Sequence, residues 1–153
     1  CKRTIYRRKI MTTKIYPYLT FENAREAMHY YVEQFGAEII YRQPLSAEQA
    51  ENLGLALDDL DATTAHGEFS IVGQKSVCAD ATMGNHQTSS LISLLLDFGG
   101  DEAGAKELFD RLAASDAQRV TLPFGPHELG GNLGQIVDQY GITWLISAGI
   151  PQE

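Results

Sequence analysis

The stretch "LGGNLGQIVDQYGITWLIS", Leu129 to Ser147, carries four glycines, Gly130, Gly131, Gly134 and Gly141, and its reading decides the fold. Such a run is either a phosphate cradle, which belongs to nucleotide enzymes, or the punctuation of a hairpin. A cradle joins a strand to a helix whose N-terminus meets the phosphate. Here Gln135-Ile136-Val137 and Thr143-Trp144-Leu145-Ile146 read as strands about a turn at Asp138 to Gly141. The run therefore predicts a hairpin, and its glycines shape strands and a loop.

Working back from that hairpin, "SLISLLLDF" reads as a strand and Asp101 opens a helix carrying Ala105, Leu108, Phe109 and Leu112. "AQRVTLP" is a further short strand. The first half repeats this order. In "IYPYLTF" Ile15, Leu19 and Phe21 alternate with Tyr16, Tyr18 and Thr20, and Pro17 suits an edge or a strand start. Asn23 and Glu26 make a capping-box start for a helix with Ala24, Ala27, Met28, Tyr31 and Phe35 at helical spacing, closed by Gly36. "AEIIYRQ" is a strand, the segment from Ser46 is a helical or irregular excursion, and "HGEFSIVGQKSVCADA" is a hairpin turning at "VGQK".

Both halves thus read strand, helix, strand, hairpin. The predicted fold class is α+β: two βαβββ modules, at about 14–81 and 90–148, form a curved mixed sheet around a trough, with the helices on the outer face. Residues 11–153 are expected to form a single domain. One module alone leaves one face of its sheet bare, so a ligand trough is the natural outcome of pairing two.

A hydrophobic fraction of 44% over 153 residues supplies a core without a staple. Cys1 and Cys78 offer neither a disulfide framework nor a CxxC site, which favours a reducing, cytoplasmic setting. Five of the twelve Lys/Arg fall in "CKRTIYRRKI", residues 1–10, leaving seven against all twenty Asp/Glu, a net of −13. So acidic a body argues against nucleic acid or an anionic membrane as partner. The basic leader 1–10 reads as sequence upstream of a start at Met11, outside the fold. No apolar run reaches the roughly 20 residues that span a bilayer.

Three stretches, "YPYLTFENAREAMHYYVEQFGAEI", "HGEFSIVGQKSVCADA" and "VDQYGITWLIS", resemble the PhnB-like branch of the vicinal oxygen chelate superfamily, which includes glyoxalase I, bleomycin-resistance proteins and extradiol dioxygenases. The most specific pieces are Tyr30-Tyr31 followed by Phe35-Gly36-Ala37, and the D-x-x-G-x-x-W pattern of Asp138, Gly141 and Trp144. In the superfamily's metal enzymes each half supplies two ligands, one from its first strand and one from its last, usually His, Gln or Glu. Carried across, those positions are Tyr16, Val77 or Cys78, Leu91 and Leu145, which is no metal quartet. A one-residue slip offers Trp144 or Ile146 on the last strand and Ser90 or Ile92 on the fifth, no better as ligands. The resemblance implies a homodimer and no metal or other cofactor. Relatives sometimes carry a methyltransferase name, but this chain shows no dinucleotide or methyl-donor fingerprint.

His66 and Glu68 share the face opposite Phe69 and Ile71, so they are either an acid–base pair looking into the trough or a solvated or interface pair. Cys78 is either a nucleophile with His66 as its base or a buried small hydrophobe. Tyr16 and Tyr18 either contact a ligand or fill a collapsed trough. His127 and Glu128 form a further pair in a Gly/Pro loop, either a lid site or a solvated loop. Asp80 and Asp97 occupy similar strand ends in the two halves and read as turn formers. The leading expectation is metal-independent binding of a small molecule by Tyr16, Tyr18, His66 and Glu68, with no reaction assigned. Two alternatives remain: a lyase or isomerase with a displaced metal on His66, Glu68 or His127, and a resistance-type protein that sequesters a drug between protomers.

Overall fold

The computed structural model describes residues 13–55, 59–82, 84 and 87–151. The basic leader and the start at Met11 lie outside the described residues. The first module comprises strand β1 (Tyr18–Phe21), helix α1 (Ala24–Phe35), strand β2 (Glu38–Pro44), a short helix α2 (Ala47–Asn52) and the hairpin of β3 (Thr64–Ile71) and β4 (Gln74–Asp80). The second comprises β5 (Leu94–Asp97), α3 (Glu102–Ala113), β6 (Arg119–Pro126) and the hairpin of β7 (Asn132–Val137) and β8 (Thr143–Ala148). The chain is α+β, and its strands form two four-stranded mixed sheets of the same order, β1-β4-β3-β2 and β5-β8-β7-β6.

Local chemistry sets the element ends. Asn23 caps α1 by accepting a hydrogen bond from the Glu26 backbone, and Gly36 closes it in the left-handed conformation. Ser46 and Gln49 form a reciprocal capping box on α2. Pro17 precedes β1, which starts at Tyr18, so Tyr16 lies ahead of the strand. The expected strand "SLISLLLDF" shortens to Leu94–Asp97. The Ser89 hydroxyl accepts a hydrogen bond from the Leu91 backbone, a local turn that competes with pairing, and Leu91 and Ile92 are left exposed.

The opening glycines find their roles here. Gly134 on β7 lies under the Phe109 ring of α3, closer than any side chain would allow. Gly67 on β3 is its counterpart: a Cβ there would stand 2.9 Å from the Met28 sulfur of α1. In each module a glycine on the third strand lets the helix settle directly on the sheet.

The two helix-covered sides then meet in one core. Phe69 and Ile71 from the first sheet, and Ile136, Trp144 and Ile146 from the second, are buried with Met28, Tyr31 and Phe35 of α1 and Phe109 and Leu112 of α3. The Tyr31 ring stacks on Phe69 of its own module at 5.2 Å, and Phe35 lies 5.1 Å from Trp144 of the other. The opposite side of each sheet is left open among the described residues, with Tyr18 61% and Leu95 58% exposed.

Asp138 joins the modules. Only 4% exposed, its Oδ1 accepts from the backbones of Tyr140 (2.9 Å) and Ile142 (3.0 Å). Its Oδ2 accepts from the Tyr31 hydroxyl (2.6 Å) and the Trp144 indole (2.9 Å). Burial, reinforced by Asp138, raises the Tyr31 phenol far above its ordinary pKa, so it stays a neutral donor. Beside it the Tyr30 hydroxyl donates to Gln118 at 2.8 Å, a second bond between modules.

Removing the Asp138 acceptor strands two buried donors, so Asp138→Ala is expected to lower unfolding free energy by about 3 kcal/mol or more. Tyr31→Phe, which removes one bond, should cost about 1–2 kcal/mol. Urea unfolding followed by Trp144 fluorescence measures both, and equal losses from the two variants would contradict the four-bond arrangement.

Candidate functional site

Strand register sorts the candidate residues onto faces. In the first sheet Tyr18 stands opposite Val77, Val77 opposite Glu68, and Glu68 opposite Tyr41. These four form one row across the uncovered side, with His66 on the same side of β3, paired with Gln43. Three of the four expected ligand contacts, Tyr18, His66 and Glu68, therefore share a face. Tyr16 joins them through Lys75, whose ammonium lies 5.0 Å from its ring centre and also pairs with Glu68.

Glu68 is the centre of this polar group. One of its oxygens meets Lys75, and the other lies 3.2 Å from His66 Nε2. The bonded Lys75 ammonium, helped by His66, holds the Glu68 carboxyl below its ordinary range, and Glu68 in turn raises Lys75. Such a carboxylate can orient the imidazole. Sequence reasoning missed Lys75 and Tyr41. The signal for Lys75 was the turn at Val72 and Gly73, which sets Ser70 opposite Lys75 and so puts Lys75 on the face of Glu68.

Cys78 goes the other way. It pairs with Gly67 on the helix side, fully buried, and burial pushes its thiol up to about 12. The expected partnership with His66 is not formed, because successive strand residues face opposite sides of the sheet. His127 is occupied in the loop after β6: its carbonyl accepts from Gly130 and its Nδ1 from the Leu129 backbone. Asp80 ends β4 and its Oδ1 accepts from Ala24 at the start of α1. Asp97 ends β5 and accepts from Gly99 and Ser147, so the two aspartates hold strand ends in different ways.

The second sheet repeats the row. Leu95 stands opposite Leu145, Leu145 opposite Gln135, and Gln135 opposite Leu122. Tyr18 and Leu95, Val77 and Leu145, Glu68 and Gln135, Tyr41 and Leu122 are thus equivalent. Tyr16 and Leu91, aligned above with the family's first-strand ligands, both precede their strands, and the strand residues facing with Val77 and Leu145 are Tyr18 and Leu95. Neither set supplies the imidazole or carboxylate donors a divalent ion needs. Among the described residues no three His, Cys, Asp or Glu side chains gather at one point, so the residues present do not fit the superfamily's metal.

At the edge of the first sheet a cleft of about 1200 Å³ runs along β1, past the end of β4 and the connection that follows, to the turn at Tyr140–Ile142. Tyr16, Tyr18, Thr20, Asp80 and Tyr140 line it. Tyr140 is held there by edge contacts with Phe21 (4.9 Å) and Tyr30 (5.5 Å), next to the Asp138 junction.

Paired βαβββ modules, each with one uncovered sheet face, define the glyoxalase/bleomycin-resistance/dioxygenase, or vicinal oxygen chelate, class of fold. Within it, the chain belongs to the PhnB-like family described as 3-demethylubiquinone-9 3-methyltransferase, whose model matches residues 13–147. It is 30% identical to protein YjdN of Escherichia coli K12 over 138 residues, 86% of this chain and 92% of that one. The PhnB protein of Bacillus cereus matches with a TM-score of 0.66 and 24% identity, over 90% of this chain and 100% of its own. A glyoxylase/bleomycin resistance protein/dioxygenase domain from Frankia matches with a TM-score of 0.64 and 16% identity, over 93% and 95%. The two structural matches share the fold. Among the described residues no helix is long and apolar enough to cross a membrane.

Two outcomes test this geometry. In the folded protein at pH 8, alkylation at Cys78 is expected to run at least about 100-fold slower than in the unfolded chain, measured on the Cys78 peptide by mass spectrometry. Glu68→Gln should lower the melting temperature at neutral pH. Because the Glu68 pKa is depressed, its contribution is present above the ordinary carboxylate range and lost as pH falls through the folded value. The gap between the two proteins should therefore close in acid, and close again in alkali as Lys75, whose pKa is raised, loses its proton.

Proposed function

We propose that this protein binds a small organic molecule without a metal ion, on the uncovered face of its first sheet and in the adjoining cleft, as a homodimer. The observation that carries this reading is the row Tyr18, Val77, Glu68 and Tyr41, two aromatic rings flanking a small apolar step and an oriented carboxylate. Tyr16 and Tyr18 supply stacking surface and hydroxyl groups, and His66 and Glu68 supply directional hydrogen bonds. Tyr16 and Tyr18 also line the cleft, so one ligand can span both. His66 with Glu68 forms the acid–base pair of the site, and no reaction is assigned to it.

The aliphatic row Leu95, Leu145 and Leu122 of the second sheet supports the dimer. Leu95 and Leu122 are exposed, and an apolar sheet face of this kind gains by being covered. A second copy can bring that row over the tyrosine row of the first and enclose a ligand between them. The methyl-transfer activity in the family's description calls for a methyl donor. The glycine-rich segment 129–134 leads from one antiparallel strand into the next, so it does not fit the strand-to-helix cradle that holds a nucleoside cofactor.

Untagged protein examined by native mass spectrometry, with parallel elemental analysis, tests the reading. The expected result is a dimer that retains or takes up small organic molecules with metal far below one equivalent. Leu145→Glu should shift the protein toward monomer and weaken uptake. A stoichiometric metal whose removal abolishes binding would overturn the reading.

A further inference from the structure

The cleft along β1 has a charge character that selects its ligand. Among the described residues that line it there is no Lys, Arg or His, and Asp80 is the one carboxylate. That carboxylate is fixed in place, because the Ala24 backbone at the start of α1 donates to its Oδ1 at 2.8 Å. Three tyrosines, Tyr16, Tyr18 and Tyr140, border the same space, as do Thr20, Thr82 and Thr88. The nearby Lys75 ammonium is paired with Glu68.

An anion entering this cleft would meet a carboxylate and electron-rich ring faces, with no cation among the described lining residues to receive it. An organic cation meets the reverse. Its charge is attracted by Asp80 and by the negative faces of the aromatic rings, and its apolar body is received by Leu94, Ile142 and the tyrosines. A formal net charge of −8 over the chain adds long-range attraction for a positive ligand. The volume accommodates a multi-ring molecule.

We propose that the β1 cleft is a binding site for an organic cation, a protonated amine carried on a flat aromatic body, with Asp80 as its counter-ion and Tyr18 and Tyr140 as its aromatic walls. This rests on the small-molecule reading above and adds the charge class of the ligand. It also separates two tasks: the cleft recognises charge, while the row across the sheet face supplies the Glu68 and His66 pair.

Three probes of one shape separate the charge classes: 9-aminoacridine as the cation, acridine as the neutral form and acridine-9-carboxylate as the anion. Binding to the full chain is measured at about pH 8, by probe fluorescence at low and high salt. The cation is expected to bind at least about 10-fold more tightly than the anion, with the neutral probe between. Asp80→Asn keeps the oxygen that accepts from Ala24 and removes the charge, so it should bring the three affinities within about 3-fold of one another. Tyr18→Leu, at an exposed ring, should weaken the cation without unfolding the protein, as checked by circular dichroism.

Equal or tighter binding of the anion, or a preference for the cation that survives Asp80→Asn, would overturn the charge assignment while leaving small-molecule binding intact. Failure of all three probes to bind would overturn the cleft as an organic-cation site. The native mass measurement decides the broader reading separately.

Discussion

Everything in this molecule depends on one buried carboxylate. Asp138 gathers the Tyr31 hydroxyl from the first module's helix, the Trp144 indole from the last strand and two amides of its own turn. An aspartate so far from water is tolerated because its hydrogen bonds replace those of the solvent. The same four bonds fix the tight turn, orient the only tryptophan and dock α1 on the second sheet. They also set the angle at which Tyr140 enters the cleft wall, since its backbone donates to Asp138. Position at the cleft wall and cohesion between the halves therefore come from the same atoms.

The duplicated architecture has kept its backbone and diverged on its faces. Helix-side positions remain interchangeable in kind: Gly67 and Gly134 both admit a helix side chain, and Phe69 and Ile136 both point inward. The uncovered rows differ, one aromatic and charged, the other aliphatic with a single amide. Covering an apolar face and recognising a polar molecule make opposite demands on side chains, and a repeat offers two copies on which to meet them. On these rows Tyr18, Val77, Leu95 and Leu145 are residues that suit contact and enclosure.

Much of this was legible in the sequence. Alternation in "HGEFSI" put His66 and Glu68 on one face and Phe69 and Ile71 on the other, because a two-residue period needs no knowledge of neighbours. Asn23, Ser46 and Gly36 marked helix ends through bonds made within three or four residues. What escaped was non-local. Lys75 reaches Glu68 only through hairpin register, and Cys78 looked like a partner for His66 until pairing with Gly67 set its side. Asp138 read as a turn former, which it is, but its bonds to Tyr31 cross 107 residues of sequence. The length of β5 was overestimated because apolar character in "SLISLLLDF" outweighed a serine side-chain turn. The cleft could not be read at all, since it is bounded by segments from both halves of the chain that only the fold brings together.

Helix α1 serves two masters. Tyr31 stacks on Phe69 of its own sheet while its hydroxyl and the neighbouring Phe35 engage the other. The chain therefore cannot be divided at the connection between its modules into two self-sufficient halves, despite their matching topology. A fragment ending near Thr82 would present an aromatic ridge to water, and one beginning near Thr88 would keep an indole and an aspartate with no phenol to meet them. Duplication here has become dependence: what reads as a repeat along the chain shares one core.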